Sequence, residues 1–111
     1  MSDQTVQFFE CGGVERERNR LGKDYLEFLR VASMSAGIYV LAAGATDRQS
    51  PHGQDELYYV VQGRGRMQAG AHDRAVSAGS LIFVGAQVEH RFHAIEEELT
   101  LLVFFAPAEI E

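Results

Sequence analysis

Histidine and glutamate, two residue types suited to proton transfer and to metal binding, recur in this chain at spacings that bring them together. His52 and Glu56 lie four residues apart, where a loop is predicted to become a strand. Residues an even number apart in an extended chain point to the same face. We therefore expect the imidazole and the carboxylate to converge, on the face shared with Tyr58 and Val60. A carboxylate buried beside Val60 needs a cation or several hydrogen-bond donors to compensate for its burial.

A second candidate group lies on a later predicted strand that contains two histidines. His90 shares a face with Phe92, whereas His93 shares the opposite face with Ile95. If Phe92 faces the interior, His90 points inward and is the better ligand candidate, and His93 faces solvent or a partner subunit. If Ile95 marks the inner side, the assignment is reversed.

The elements that must position these groups are strands. Eleven glycines and two prolines separate short runs rich in β-branched, leucine and aromatic residues. The predicted strands span residues 26–32, 38–42, 56–62, 66–69, 74–76, 81–84, 90–95 and 99–105. Seven or eight short strands with frequent turns favour a sandwich or small barrel, and barrel closure removes exposed sheet edges. We therefore predict a single all-β domain.

Two charged segments are predicted to lie outside the strands. Residues 12–22 have no apolar face at helical spacing, so we predict a solvated loop or one loose turn there. The run of three glutamates at 96–98 is predicted to be a solvated turn. We divide the 111 residues into an N-terminal arm or edge strand (1–24), a barrel (25–107) and a tail (108–111).

The spacing of glycine, histidine and glutamate resembles that of the cupin family. Gly44-x5-Ser50-x-His52-x3-Glu56-x6-Gly63 has the spacing of the first cupin motif, which normally has a histidine where Ser50 stands. Fifteen residues, 64–78, separate the two motifs, as in compact single-domain cupins. The resemblance implies a cupin β-barrel, a jelly-roll-like double-stranded β-helix.

The second cupin motif is matched by Gly79-x5-Gly85-x-Gln87-x2-His90-x3-Ala94. Gly85, Gln87 and Ala94 replace the usual proline, glycine and asparagine, which affects loop shape more than ligation. In cupins, two histidines and the glutamate of motif one and the histidine of motif two bind a metal ion. The resemblance therefore implies three protein ligands here.

Two imidazoles and one carboxylate, from His52, His90 and Glu56, form a donor set that leaves positions open on the ion. Such a set suits non-haem Fe(II), and Mn(II), Ni(II) or Zn(II) also fit it. Around it, candidate pocket or outer-sphere residues can hold water, orient a ligand or fill the barrel: Ser50, Gln54, Tyr58, Phe92 and Tyr39. An alternative is that the fold persists without a metal and that Glu56 hydrogen-bonds to a histidine.

These features predict a metal-binding cupin that takes a small, anionic or oxygen-rich molecule, with dioxygenase- or isomerase-type activity if it is an enzyme. The alternative function is a metal-free binding or sensing module. The fold itself does not select a reaction.

The composition and the residue pattern of the chain limit the classes of partner that we expect. The net charge of −6 disfavours binding to nucleic acid or to an anionic membrane. Cys11, the single cysteine, cannot form an intrachain disulfide. No signal peptide or membrane-spanning run is evident, so we predict a cytoplasmic location. Because the segment 99–105 is apolar on both faces, we predict a homodimer, to which Phe8 and Phe9 could contribute.

Overall fold

The computed structural model describes residues 5–48 and 51–109, which form one helix and six strands. In chain order these elements are α1 (Cys11–Leu21), β1 (Tyr25–Val31), β2 (Met34–Leu41), β3 (Asp55–Ala69), β4 (His72–Ser77), β5 (Leu81–Val84) and β6 (His90–Ala106). The predicted all-β class is confirmed, with α1 as an addition.

The strands form an antiparallel sheet organised around two long strands, β3 and β6. The order is β1-β2-β6-β3-β4, and β5 also pairs with β3. The first part of β3 pairs with β5 and with the end of β6, whereas its second part pairs with β4 and with the start of β6. Glu56 near the start of β3 is thereby placed between Val84 on β5 and Phe105 near the end of β6.

Both long strands contain an irregularity that switches which residues face inward. On β3 the buried residues are even-numbered up to Val60 and odd-numbered from Gly65. Between them Gly63 has a φ of 99°, and a Cβ there would lie 2.1 Å from the carbonyl oxygen of Glu98. On β6, Ala94 has a φ of 48° and separates buried Phe92 from buried Ile95. Because of these bulges, each strand presents one continuous face to the core.

That core is a single apolar cluster within the described residues. It is made of side chains from β2, β3, β4, β5 and β6: Leu41, Tyr58, Val60, Met67, Val76, Val84, Phe92, Ile95, Leu99, Leu101, Val103 and Phe105. His90 and Phe92 both face inward and His93 is half-buried, so the first of the two predicted assignments is correct. Ile95 also faces inward, because the bulge at Ala94 reverses the alternation.

Two of the predicted interruptions between strands are wrong. The predicted strands 56–62 and 66–69 are one strand, β3, and 90–95 and 99–105 are one strand, β6. The glutamates at 96–98 lie within β6 as exposed strand residues and do not form a turn. Glu96 and Glu97 lie 3.7 and 3.5 Å from Arg64 on β3, and this pairing of opposite charges across strands is compatible with a continuous ladder.

Residues 11–21 form a three-turn helix where the sequence predicted a loop or a loose turn. No residue of α1 is buried, so an apolar face could not reveal it. Pairs three residues apart stabilise it instead, such as Glu15 and Arg18 at 2.7 Å. Gly22, with a φ of 67°, ends the helix, and the N–H of Lys23 donates to the carbonyl of Arg18.

The segment 1–24, which the sequence assigned to an arm or edge strand, contains α1. The division of the chain after residues 24 and 107 stays a prediction. Within residues 5–48 and 51–109, no helix has the length and apolar character needed to cross a membrane.

Candidate metal site

The sheet brings His52, Glu56 and His90 together. One donor atom from each lies within 4.8 Å of the others. Glu56 is the second residue of β3 and His90 is the first residue of β6. His52 lies in the loop before β3, where its carbonyl accepts a 2.7 Å hydrogen bond from the backbone N–H of Gln87. The three side chains therefore approach one point from separate segments.

Glu56 and His90 form the buried centre of this cluster. His90 Nε2 lies 3.0 Å from Glu56 Oε1 and 3.0 Å from Tyr58 Oη. Only 1% of the His90 side chain and 2% of the Glu56 side chain are exposed to solvent. Both side chains are therefore largely shielded from bulk water, so their immediate neighbours influence their protonation.

The tautomer of His90 follows from its second ring nitrogen. Nδ1 lies 2.9 Å from the carbonyl oxygen of Val88, which can only accept, so Nδ1 carries the proton of the hydrogen bond. In the neutral ring Nε2 therefore carries a lone pair, which can accept from the Tyr58 hydroxyl and lies 3.0 Å from Glu56 Oε1. Burial by itself lowers the pKa of His90, but the Glu56 carboxylate, the Val88 carbonyl and Asp47 outweigh it and raise that pKa overall.

Four buried polar atoms near or beside the cluster have no hydrogen-bond partner among the described residues. They are both carboxylate oxygens of Glu56, Oη of Tyr25 and Oε1 of Gln54. Nε2 of His90, 3.0 Å from Glu56 Oε1, donates to it only when the imidazole is protonated, because the single proton of the neutral ring is on Nδ1. A buried carboxylate without donors is unfavourable, and a divalent cation coordinated by both carboxylate and imidazoles would compensate for it. The residues present therefore fit a divalent ion.

The cluster opens into a cavity of about 320 Å³. Its wall includes the rings of Tyr25, Tyr39 and Tyr58, with Arg48 and Glu109 as additional charged groups. Burial, followed by the nearby carboxylates, raises the pKa of both Tyr25 and Tyr39, so both phenols keep their protons at neutral pH. The cavity therefore combines aromatic walls with phenolic and charged groups.

Local features of the sheet place two of these tyrosines. Tyr25 packs over Gly37, where a Cβ would lie 2.3 Å from the Tyr25 ring. Only a glycine at this position leaves room for that ring. The Tyr39 hydroxyl donates to Asp47 at 2.8 Å, and the other oxygen of Asp47 accepts from the N–H of Phe92 at 2.9 Å. Buried Asp47, in the part of the chain that precedes His52, thus links Tyr39 on β2 to Phe92 on β6.

The C-terminal segment after β6 closes one side of the cavity. The backbone N–H of Glu109 donates to Ser35 Oγ at 2.9 Å, and Ala108 is buried. Glu109 Oε2 lies 3.4 Å from His52 Nδ1. A carboxylate from the end of the described chain therefore faces one of the candidate ligands.

The predicted surrounding residues are distributed unevenly about the site. Tyr39 and Tyr58 line the cavity. Phe92 lies in the core, edge-on to Tyr58 with ring centres 5.0 Å apart. Gln54 is buried with its carbonyl oxygen unpartnered, and Ser50 lies outside the described residues.

Sequence reasoning did not identify Tyr25, Arg48 or Glu109 as cavity residues. Tyr25 could have been suspected from Gly37, since a glycine inside a strand often marks the close approach of another group. No local pattern identifies Glu109, because its position depends on how the chain returns across the sheet after β6.

Comparison with known proteins gives a family and one close relative. A model of the cupin domain matches residues 37–106, which include all three candidate ligands. Over 104 residues the chain is 46% identical to the uncharacterized protein SCO3923 of Streptomyces coelicolor, covering 94% of this chain and 99% of that protein.

Solved structures share the fold at low sequence identity. A cupin 2 conserved barrel domain protein from Rhodopseudomonas palustris has a TM-score of 0.70 and 17% identity, over 78% of this chain and 62% of that chain. KdgF from Halomonas sp. has a TM-score of 0.69 and 21% identity, over 75% and 76%. DMSP lyase DddQ from Ruegeria pomeroyi has a TM-score of 0.65 and 19% identity, and the match spans only 39% of that chain.

At these identities the solved structures establish the architecture and no activity. The cupin-domain match covers well over half of the sequence, from within β2 to the end of β6. The 46% identity to the Streptomyces protein extends over nearly the whole chain. This chain belongs to the cupin family.

Proposed function

We propose that this cupin binds a divalent metal ion through His52, Glu56 and His90 and uses the adjoining cavity to take a small, anionic or oxygen-rich molecule. The observation that carries the proposal is the buried carboxylate of Glu56, which has no hydrogen-bond donor among the described residues while His90 is neutral. Iron, manganese, nickel and zinc all suit this donor set. When bound, such an ion supplies Lewis-acid polarisation, and redox chemistry as well if it is iron.

The charges of the cavity support an anionic ligand only when the metal is present. Glu56 and Glu109 against Arg48 give the metal-free cavity a formal charge of −1, since two negative groups oppose one positive group. A divalent ion changes this sum to +1. We therefore expect anion binding to depend on metal binding.

The chain's own residues supply the remaining recognition. Tyr25 keeps a phenolic proton and its buried oxygen has no hydrogen-bond partner, so it can donate to a ligand oxygen. Arg48 at the wall can pair with a ligand carboxylate or phosphate. Val103 and Phe105 supply apolar surface to the cavity wall. If the protein is an enzyme, we propose a reaction of the dioxygenase or isomerase type.

Metal analysis of protein purified without chelator tests this function. We expect about one equivalent of metal in the wild type and its loss in His52→Ala and His90→Ala. His93→Ala is the matched control, because His93 is on the same strand but outside the cluster. Sub-stoichiometric metal in the wild type, unchanged in the first two variants, would contradict the proposal.

A second candidate function is a metal-free module that binds or senses a small molecule. It is favoured by Ser50, which stands where the first cupin motif has a histidine. The contacts of His90 with Glu56 and Tyr58 would then be a structural network beneath the cavity. The same metal analysis separates the two functions.

We also propose that a second copy of the chain covers the outer face of β3 and β5. Leu57 pairs with Phe83 and Tyr59 pairs with Leu81, and all four side chains are exposed, Leu81 and Phe83 to about two thirds. Exposed apolar patches of this kind mark interaction surfaces. A cytoplasmic location stays a prediction from the sequence.

Sedimentation at micromolar concentration tests this dimer. We expect a dimer in the wild type and a monomer in Phe83→Glu. Val31→Glu, which alters an exposed apolar residue at the end of β1, is expected to remain dimeric. A monomeric wild type would refute the dimer.

A further inference from the structure

We infer that Glu109 is a positioning residue for His52: its carboxylate holds the imidazole with Nδ1 facing the C-terminal segment, so that Nε2 is the nitrogen presented to Glu56 and His90. This inference rests on the proposed metal-binding function. It assigns a role in the site to a residue that lies outside the segment matched by the cupin model.

The backbone delivers the Glu109 carboxylate to a defined place. After β6 ends at Ala106, the N–H of Ala108 approaches the carbonyl of Ala32 at 3.5 Å. The N–H of Glu109 then donates to the hydroxyl of Ser35, a residue with no solvent exposure, at 2.9 Å. Two attachments to the β1–β2 hairpin therefore fix the chain at Ala108 and at the Glu109 amide.

The contact with His52 has the chemistry of an outer-sphere partner. Glu109 Oε2 lies 3.4 Å from His52 Nδ1, and a closer approach of about 0.5 Å gives an ordinary hydrogen bond. A carboxylate can only accept, so it favours the tautomer with the proton on Nδ1 and the lone pair on Nε2. The Phe105 ring, edge-on at 5.0 Å, restricts rotation of the imidazole.

The other histidine of the site is held in the same way. His90 donates from Nδ1 to the carbonyl of Val88, which leaves Nε2 toward Glu56. Histidines that bind metals commonly donate their other N–H to a carboxylate or a carbonyl, which fixes both tautomer and ring orientation. Each ring thus has an acceptor oxygen beside Nδ1, at 2.9 Å for His90 and at 3.4 Å for His52.

The geometry favours positioning over direct ligation by Glu109. Among the described residues, the cluster whose donor atoms lie within 4.8 Å of one another contains His52, Glu56 and His90 but not Glu109. Because Ser50 provides no imidazole, only two histidines are available, and the orientation of each has a large effect on affinity.

The Zn²⁺ affinity of Glu109 variants tests the positioning role of this residue. Zn²⁺ affinity is measured by competition with a chromophoric chelator for the wild type, Glu109→Ala, Glu109→Gln and the control Glu96→Ala, which removes an exposed glutamate from β6. We expect Glu109→Ala to weaken binding roughly 10- to 100-fold. The amide oxygen of Glu109→Gln should restore part of the affinity, and Glu96→Ala should match the wild type. Wild-type affinity in Glu109→Ala would overturn the inference.

A measurement on the metal-free protein separates this inference from the proposed function. Long-range ¹H–¹⁵N spectra report which nitrogen of neutral His52 carries the proton. We expect the Nδ1–H tautomer in the wild type and a change toward Nε2–H in Glu109→Ala, while His90 stays unchanged. The same tautomer in both proteins would refute the role of Glu109 even if metal binds. An absence of metal binding in the wild type, with the tautomer change present, would refute only the proposed function.

Discussion

Two carboxylate–histidine pairs on the same strand differ in what surrounds them. His90 at the start of β6 contacts Glu56, and His93 three residues later contacts Asp73, in both cases with Nε2 and a carboxylate oxygen 3.0 Å apart. The first pair is almost completely buried. In the second, 27% of the His93 side chain and 43% of the Asp73 side chain are exposed.

The difference lies in how each carboxylate is satisfied. Asp73 accepts hydrogen bonds from His93 and from Arg66 Nε, both at 3.0 Å, and water reaches it. The Glu56 side chain is only 2% exposed and has a hydrogen-bond donor among the described residues only if His90 is protonated. Equal distances therefore correspond to different surroundings: the exposed pair is hydrogen-bonded and solvated, whereas the carboxylate of the buried pair is short of hydrogen-bond donors.

The largest expected effect is a difference in Zn²⁺ affinity between variants of the two carboxylates, Glu56 and Asp73. Glu56→Gln removes the negative charge from the buried donor set, so we expect Zn²⁺ affinity to fall by more than the roughly 10- to 100-fold typical of outer-sphere partners. Asp73→Asn makes the same chemical change in the exposed pair and should leave affinity unchanged. Competition titration measures both. Equal effects of the two substitutions would remove the distinction between the pairs.

The next largest expected effect is a difference between variants of the two histidines, His90 and His93, in how much added metal stabilises the fold. Metal that binds only the folded state stabilises it by about 2.7 kcal/mol when free metal is 100-fold above Kd. We expect this stabilisation in the wild type and in His93→Asn, and its absence in His90→Asn. Thermal unfolding with and without metal, followed by circular dichroism, measures it. Retention of the full stabilisation in His90→Asn would contradict the assignment of that ligand.

Sequence patterns predicted most of the sheet because alternation and turn residues are local signals. Glu56, Tyr58 and Val60 share the buried face as their spacing predicts. The inward direction of both Phe92 and Ile95 could not be predicted, because it depends on the positive φ of Ala94. A bulge at a non-glycine residue has no reliable signature in a single sequence.

The residues of the candidate site could also be predicted from the sequence only in part. The motif spacing predicted His52, Glu56 and His90 as candidate ligands, and the fold brings these three residues together. Glu109 and Arg48 reach the cavity through loop and tail paths that no periodic pattern encodes. Helix α1 was missed because charge pairs and its C-terminal cap stabilise it, in place of a buried face.

A smaller effect concerns the hydroxyl that contacts His90. Tyr58→Phe removes a buried O–H 3.0 Å from Nε2, so we expect the metal-free protein to lose about 0.5–1.5 kcal/mol of unfolding free energy. Tyr59→Phe is the matched control, because the next residue along β3 points to the outer face. Urea unfolding measures both. No difference between the two variants would show that this hydroxyl does not stabilise the buried pair.

The smallest effect is the pH dependence of the exposed pair. The hydrogen bond from His93, followed by Arg66, lowers the pKa of Asp73 below its ordinary value of 3.8. A lowered carboxyl pKa contributes stability above that ordinary value, and the contribution is lost as pH falls through the folded-state pKa. We expect Asp73→Asn to lower the melting temperature slightly at neutral pH, by an amount that vanishes in strong acid. A difference that grows with acidity would contradict the sign of the shift.

Anomalous diffraction from crystals of metal-replete wild-type protein tests the central claim most directly, because it locates an ion relative to both pairs. We predict one strong peak, about 2.0–2.2 Å from a nitrogen of His52, a nitrogen of His90 and a carboxylate oxygen of Glu56. The Asp73–His93 pair should show none. The absence of a peak at the buried cluster after separate treatment with iron, manganese, nickel and zinc, or a peak only at the exposed pair, would contradict it.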